Sequence, residues 1–71
     1  MKAYYNGGAL GKEWACVEGK PEDTDSEAMA TARSAYGGDW IMPVGATSKD
    51  WPTNPKKSAD GKRWLWLLVR V

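Results

Sequence analysis

The side chains that could do chemistry are few, and their spacing limits what that chemistry can be. Cys16 is the sole cysteine. A thiol attacks or binds metal only as thiolate, and Cys16 sits in the β-prone run Trp14-Ala15-Cys16-Val17 with no helix start near it in sequence. The chain contains no His, so no base stands ready to deprotonate it, and it reads as a small buried hydrophobe. Asp23 and Asp25 form a carboxylate pair, a loop residue beside a helix start. No cleft is implied around them for acid/base work, and the acids at 22–27 do not have the spacing of a calcium loop. Gly7-Gly8-x-x-Gly11-Lys12 has the look of a phosphate loop. It lacks the required spacing, the Ser or Thr after the Lys and the helix that must follow, and is expected to be a hairpin loop.

Without His, and with one Cys, the chain cannot assemble a Ser-His-Asp or Cys-His nucleophile, a Cys/His zinc site or an internal disulfide. The expectation is a protein that is not an enzyme and carries no catalytic residue, metal or cofactor. What it has instead is aromatic surface with polar handles: five Trp, three Tyr and no Phe. Such rings suit contact surfaces.

One ring stands apart. Trp51 lies between Asp50 and Pro52 in a basic segment that carries Lys49, Lys56, Lys57, Lys62 and Arg63. These cations and the indole could contact phosphates and stack a base, or dock on an acidic protein surface with Trp51 as anchor, or simply solvate a loop. An exposed indole needs a reason, either a partner or a role as a lid over the core. The acids Glu22, Asp23, Asp25 and Glu27 form a second candidate surface, a phosphate mimic for a basic groove. Helix N-terminal electrostatics accounts for Asp25 and Glu27 on its own. The net charge of +1 conceals this division: residues 22–39 carry five acids against Arg33, and residues 40–71 carry six bases against two acids. So small a net charge stands against a dedicated nucleic-acid binder.

The elements that must position these groups follow from local patterns. Residues 2–5 and 13–18 are β-prone, separated by glycines, and predict a hairpin. In the second run Ala15 and Val17 share one face and Trp14 and Cys16 the other, which predicts a strand inside a sheet. Thr24-Asp25-Ser26-Glu27 is a capping box, and Gly37-Gly38 supplies a left-handed stop, so a helix is expected over 25–36. Ala28, Met29, Ala32, Ala35 and Tyr36 make its apolar stripe. Residues 39–45 read as a strand that Pro43 pushes to an edge or bulge. The stretch 46–62, with Trp51-Pro52, Asn54-Pro55 and Asp60-Gly61, reads as a long irregular loop. Residues 63–71 are apolar on both faces and predict a central strand. Trp14, Trp40, Trp64 and Trp66 all fall in strands and are expected in packing roles.

Seventy-one residues make one domain, 1–71. The expected fold is α+β: one helix packed on a small, mainly antiparallel four-stranded sheet in the order ββαββ. No signal-peptide pattern opens the chain, no apolar run is long enough to span a bilayer, and a lone Cys suits a reducing compartment. A cytoplasmic protein without membrane contact, monomeric or weakly dimeric, is the expectation.

Trp14-Ala15-Cys16-Val17, Ser26-Glu27-Ala28-Met29-Ala30-Thr31-Ala32 and Asp60-Gly61-Lys62-Arg63-Trp64, in the order early-Trp strand, Ala-rich capped helix, final strands, resemble small phage-encoded inhibitors of host machinery. These include anti-CRISPR proteins that block type I interference complexes and phage inhibitors of bacterial RNA polymerase. The resemblance implies stoichiometric, non-catalytic binding to a bacterial nucleoprotein complex in the host cytoplasm, blocking its nucleic-acid path or motion. The alternative is a small nucleic-acid-binding module that uses the basic Trp51 loop.

Overall fold

The computed structural model describes residues 1–9, 12–43, 51 and 53–71. One helix packs on one face of an antiparallel sheet, in the order β1 (Lys2–Ala9), β2 (Lys12–Gly19), α1 (Asp25–Tyr36), β3 (Trp40–Ile41), β4 (Lys56–Lys57) and β5 (Trp64–Arg70). The spatial order is β1-β2-β5-β3, with β4 also on β5. The α+β class is as the sequence implies, and three strands differ from expectation. The first continues past Asn6, because a register shift between Tyr5 and Gly7 lets the chain stay paired to β2 through the glycines. A fifth strand, β4, lies inside the stretch read as loop, drawn in because β5 offers an edge that the two-residue β3 leaves mostly open.

β5 is the central strand. On one side it pairs with β2 from Trp14↔Val69 to Gly19↔Trp64. Its other side is covered in pieces: β3 at Val69 and Arg70, β4 at Trp64 and Leu65, and between them the Asn54 side chain. The Asn54 amide donates to the Leu67 carbonyl at 2.8 Å and accepts from the Leu67 N–H at 3.0 Å. A side-chain amide carries the same donor and acceptor pair as a peptide, so Asn54 stands in for one residue of a missing strand. The expected strand at 39–45 is confined to Trp40–Ile41 among the described residues; Val44 and Gly45 lie outside them.

The core lies between sheet and helix. Ala15, Val17, Trp66 and Leu68 from the sheet meet Ala28 and Ala32 from the helix and Trp40 from β3, all buried. Met29, Tyr36, Met42, Ala3 and Trp64 pack around them. Alanines on the helix face let its backbone come close to the sheet. Ala35, placed in the apolar stripe by spacing, is exposed instead, because the stripe that meets the sheet is narrow and turns through Ala28 and Ala32.

Both ends of the helix are fixed to β5. At the start, Thr24 and Glu27 form the capping box, Glu27 N–H to Thr24 Oγ1 at 3.2 Å and Thr24 N–H to Glu27 Oε1 at 3.1 Å. Asp25 Oδ1 accepts from the Trp66 indole N–H at 2.8 Å. At the far end the Arg70 guanidinium donates to the Gly37 carbonyl at 2.7 Å and to the Tyr36 carbonyl at 3.4 Å. A cation there satisfies carbonyls the helix leaves open and lies at the negative end of its dipole. Arg70 also pairs with Glu13 at 2.9 Å and lies over the Trp40 ring, 4.5 Å from its centroid. Gly38 has φ 77°, and a Cβ there would collide with Arg70 Nη1; no other residue satisfies both demands. Gly19 is required by space alone, since a Cβ would meet Asp23 Oδ2 at 2.7 Å and Trp66 Cζ3 at 2.9 Å.

Candidate functional site

Side chains alternate across a strand, and residues directly opposite in a ladder share a face. The helix therefore takes Ala3, Ala15, Val17, Trp64, Trp66, Leu68 and Arg70. The other face receives the remaining rows: Tyr4, Cys16 and Leu67; Trp14, Val69 and Ile41; Lys2, Glu18, Leu65 and Lys56. No helix among the described residues lies on this second face. Trp14, Cys16, Leu65, Leu67 and Val69 are half-buried there. Tyr4, Ile41 and Val71 are exposed at 40%, 49% and 78%. Among the described residues this leaves an apolar patch on one sheet face that folding alone does not explain.

Its borders are charged. Lys2 Nζ lies 5.2 Å from the centroid of Tyr4, and Lys56 Nζ lies 4.1 Å from that of Trp51. Lys56 belongs to the Leu65 row, so its ring partner Trp51 stands at the margin of this face. Trp51 is half-buried rather than exposed, and its indole N–H is enclosed without an acceptor among the described residues. Glu18 pairs with Arg63 at 3.0 Å, which raises the Arg63 pKa further above its ordinary value.

The structure does not gather the basic residues singled out in the sequence. Lys49 lies outside the described residues. Lys57 alternates to the helix side of the sheet, with its ammonium 5.5 Å from the Trp64 ring centroid. Lys62 and Arg63 close a turn that begins at Ser58. There Gly61 N–H donates to the Ser58 carbonyl at 2.9 Å, Ser58 N–H to the Arg63 carbonyl at 2.9 Å and Lys62 N–H to Asp60 Oδ1 at 3.0 Å. The Ser58 hydroxyl also donates to Asp60. That hydrogen bond, then the one from Lys62 N–H, holds the Asp60 carboxyl below its usual pKa. Arg63 reaches Asp60 as well, at 3.7 Å. The cations are thus spread over both faces and a turn, most of them against intramolecular partners.

The acidic candidates have structural duties too. Asp23 accepts from the Lys20 N–H at 2.7 Å, Asp25 holds Trp66 and Glu27 closes the capping box. Glu22 is exposed and lines, with Asp23, Lys20, Lys2 and Arg63, an open depression of mixed charge beside Gly19. Cys16 is half-buried on the helix-free face; burial first, then Glu18, pushes its thiol pKa up, with Lys56 opposing. It is a protonated thiol at neutral pH. Among the described residues no three His, Cys, Asp or Glu side chains are grouped as a metal ion would require, and no helix is long and apolar enough to cross a membrane.

Reading the chain for charge missed the helix-free face. The signal was there: β2 and β5 are apolar on both sides, and a single helix can cover only one of them. Comparison with protein-family models, with curated proteins and with solved structures finds no match for this chain.

Proposed function

We propose that this protein is a non-catalytic binding protein that acts by occupying a partner's surface with the helix-free face of its sheet. The partner class is drawn from the resemblance to small phage-encoded inhibitors: a bacterial nucleoprotein complex, of the type I CRISPR interference or RNA polymerase kind, met in the host cytoplasm. The observation that carries the reading is the apolar face itself. Tyr4, Ile41 and Val71 are solvent-exposed around half-buried Trp14, Leu65, Leu67 and Val69, with Lys2 and Lys56 resting on aromatic rings at the border. An apolar centre with a charged rim is the anatomy of a protein interface, and Trp and Tyr are the side chains that anchor one.

The nucleic-acid reading draws less support. A stacking platform needs an open ring and free cations, whereas Lys56 covers a face of Trp51 and Arg63 is held by Glu18 and Asp60.

The test is a titration of the purified chain against a purified type I interference complex and against bacterial RNA polymerase, with wild type and Ile41→Asp. Saturable one-to-one binding to either, weakened at least tenfold in Ile41→Asp at unchanged fold, is the expected result. Absence of binding to both, together with DNA binding that falls steeply with salt, would replace this reading with the nucleic-acid one.

A further inference from the structure

The helix-free face is not uniform along its strands. At one end the row Lys2, Glu18, Leu65 and Lys56 crosses from β1 through β2 and β5 to β4, and Arg63 reaches it through Glu18 at 3.0 Å. The middle row, Tyr4, Cys16 and Leu67, is uncharged. At the other end, about 13 Å farther along β5, lie Trp14, Val69 and Ile41, with the exposed Val71 beyond them. The acids that adjoin this end are turned elsewhere: Glu13 pairs with Arg70 at 2.9 Å, and Asp39 with Arg33 of the helix at 3.5 Å. Among the described residues, the charge on this face is gathered at one end.

The charge there is positive in excess. Lys2, Lys56 and Arg63 stand against Glu18 and Asp60, and both of these acids lie on Arg63. The Lys2 and Lys56 ammoniums rest on the Tyr4 and Trp51 rings, 5.2 Å and 4.1 Å from their centroids. A ring holds an ammonium in place without cancelling its charge. Past the row, beside Gly19, the charge becomes mixed as Glu22 and Asp23 join Lys20, so the cationic strip ends with the face.

We infer that the partner's surface is divided in the same way: apolar where it covers Trp14, Val69 and Ile41, and bearing protein carboxylates where it meets Lys2 and Lys56. This rests on the reading of the helix-free face as the contact surface and adds the partner's chemistry and its orientation. Carboxylates suit the row better than phosphates do. The two lysines stand roughly 14 Å apart at the backbone, three strand spacings, with Glu18 between them. A folded protein can place single acids at two such points. A nucleic-acid backbone carries its charge continuously, and would run across Glu18 and onto an apolar surface that offers it nothing. A single cationic end also fixes orientation. Turning the partner end for end would set its carboxylates on Ile41 and Val69 and bury them unpaired.

Surface plasmon resonance of the full chain over immobilised type I interference complex and bacterial RNA polymerase core, at about 50 mM and about 500 mM salt, tests this. Rim charges act on encounter more than on residence. The on-rate of the wild type should therefore fall about fivefold or more across that salt range. Lys2→Glu combined with Lys56→Gln should lower the low-salt on-rate about tenfold and leave the off-rate within about twofold. Lys2→Arg with Lys56→Arg should stay near wild type. Lys2 is exposed, so Lys2→Glu alone carries the test if Lys56→Gln disturbs Trp51, and thermal midpoints confirm that the variants fold. Lysine variants that bind as wild type at both salts, while Ile41→Asp loses binding, overturn the carboxylates and leave the contact surface standing. Salt-sensitive binding of duplex DNA by the chain alone, lost in Lys2→Glu, assigns the row to phosphate and overturns the proposal as well. Absence of wild-type binding to both complexes removes the contact-surface reading and this inference together.

Discussion

On the helix-covered face of the sheet the Trp66 and Arg70 side chains are each held by a polar partner, the indole by Asp25 and the guanidinium by Glu13 and the end of the helix. The apolar side chains between them, Val17, Trp66 and Leu68, are fully enclosed. The opposite face is made by the same strands in alternate positions, yet its apolar side chains are half-covered or exposed and its charges sit at the rim. The two faces differ in what folding asks of them. Enclosure with satisfied polar groups is what a small fold needs to exist, since a core of this size leaves only about 3–5 kcal/mol of net stability. An apolar surface left partly wet adds little to folding and is available for association.

The strongest way to break this comparison is to cut into each face and compare the losses. Leu68→Ala removes a side chain with no exposed surface and should cost about 2–5 kcal/mol, enough to unfold much of the population. Leu67→Ala, its neighbour on the other face and half-buried, should cost distinctly less. Urea titrations followed by tryptophan fluorescence give both numbers, and equal losses would mean that the second face is core as well. Next comes Arg70→Ala, expected to cost roughly 2 kcal/mol through loss of the helix-end hydrogen bonds and of the contact with Trp40.

Asp25 sharpens the account of the enclosed face. Asp25→Ala leaves the Trp66 N–H without its acceptor, at a cost of about 1–2 kcal/mol. Asp25→Asn keeps an oxygen in reach and should recover most of it, with the difference read from the two denaturation midpoints. Ile41→Asp marks the other extreme. Its side chain is 49% exposed, so stability should change by no more than about 0.5 kcal/mol while partner binding collapses.

How far the sequence foretold this depends on whether the information is local. The helix is legible to the residue because Thr24, Glu27 and Gly37 act within a few positions of themselves. The centrality of β5 is legible because both of its faces are apolar. The use of Asn54 as a strand surrogate is not, since it depends on where Leu67 lies, thirteen residues on. The same is true of Arg70, a terminal cation in the sequence and a helix cap in the fold. For the candidate site, charge is conspicuous in a sequence and face assignment is not. Lys56 and Lys57 are adjacent in the chain but fall on opposite sides of the sheet, and Arg63 is consumed by Glu18 and Asp60.

The smallest effect concerns the turn that ties Arg63 to the rim of the helix-free face. Asp60 accepts hydrogen bonds from Ser58 and from the Lys62 amide, and its carboxyl titrates below the ordinary range. A lowered folded-state pKa means that the carboxylate supports the turn at pH values above about 3.9, the unfolded value, and that this support is lost as pH falls through the folded one. The amide resonances of Gly61 and Lys62 should therefore titrate with a midpoint below about 3.9, and Asp60→Asn should abolish that titration. Since Asp60 is exposed, the fold as a whole should barely notice. A midpoint at the ordinary value would mean that the turn does not hold Asp60 in solution. Arg63 would then have only Glu18 as its anchor, and the rim of the helix-free face would carry one more cation for a partner to meet.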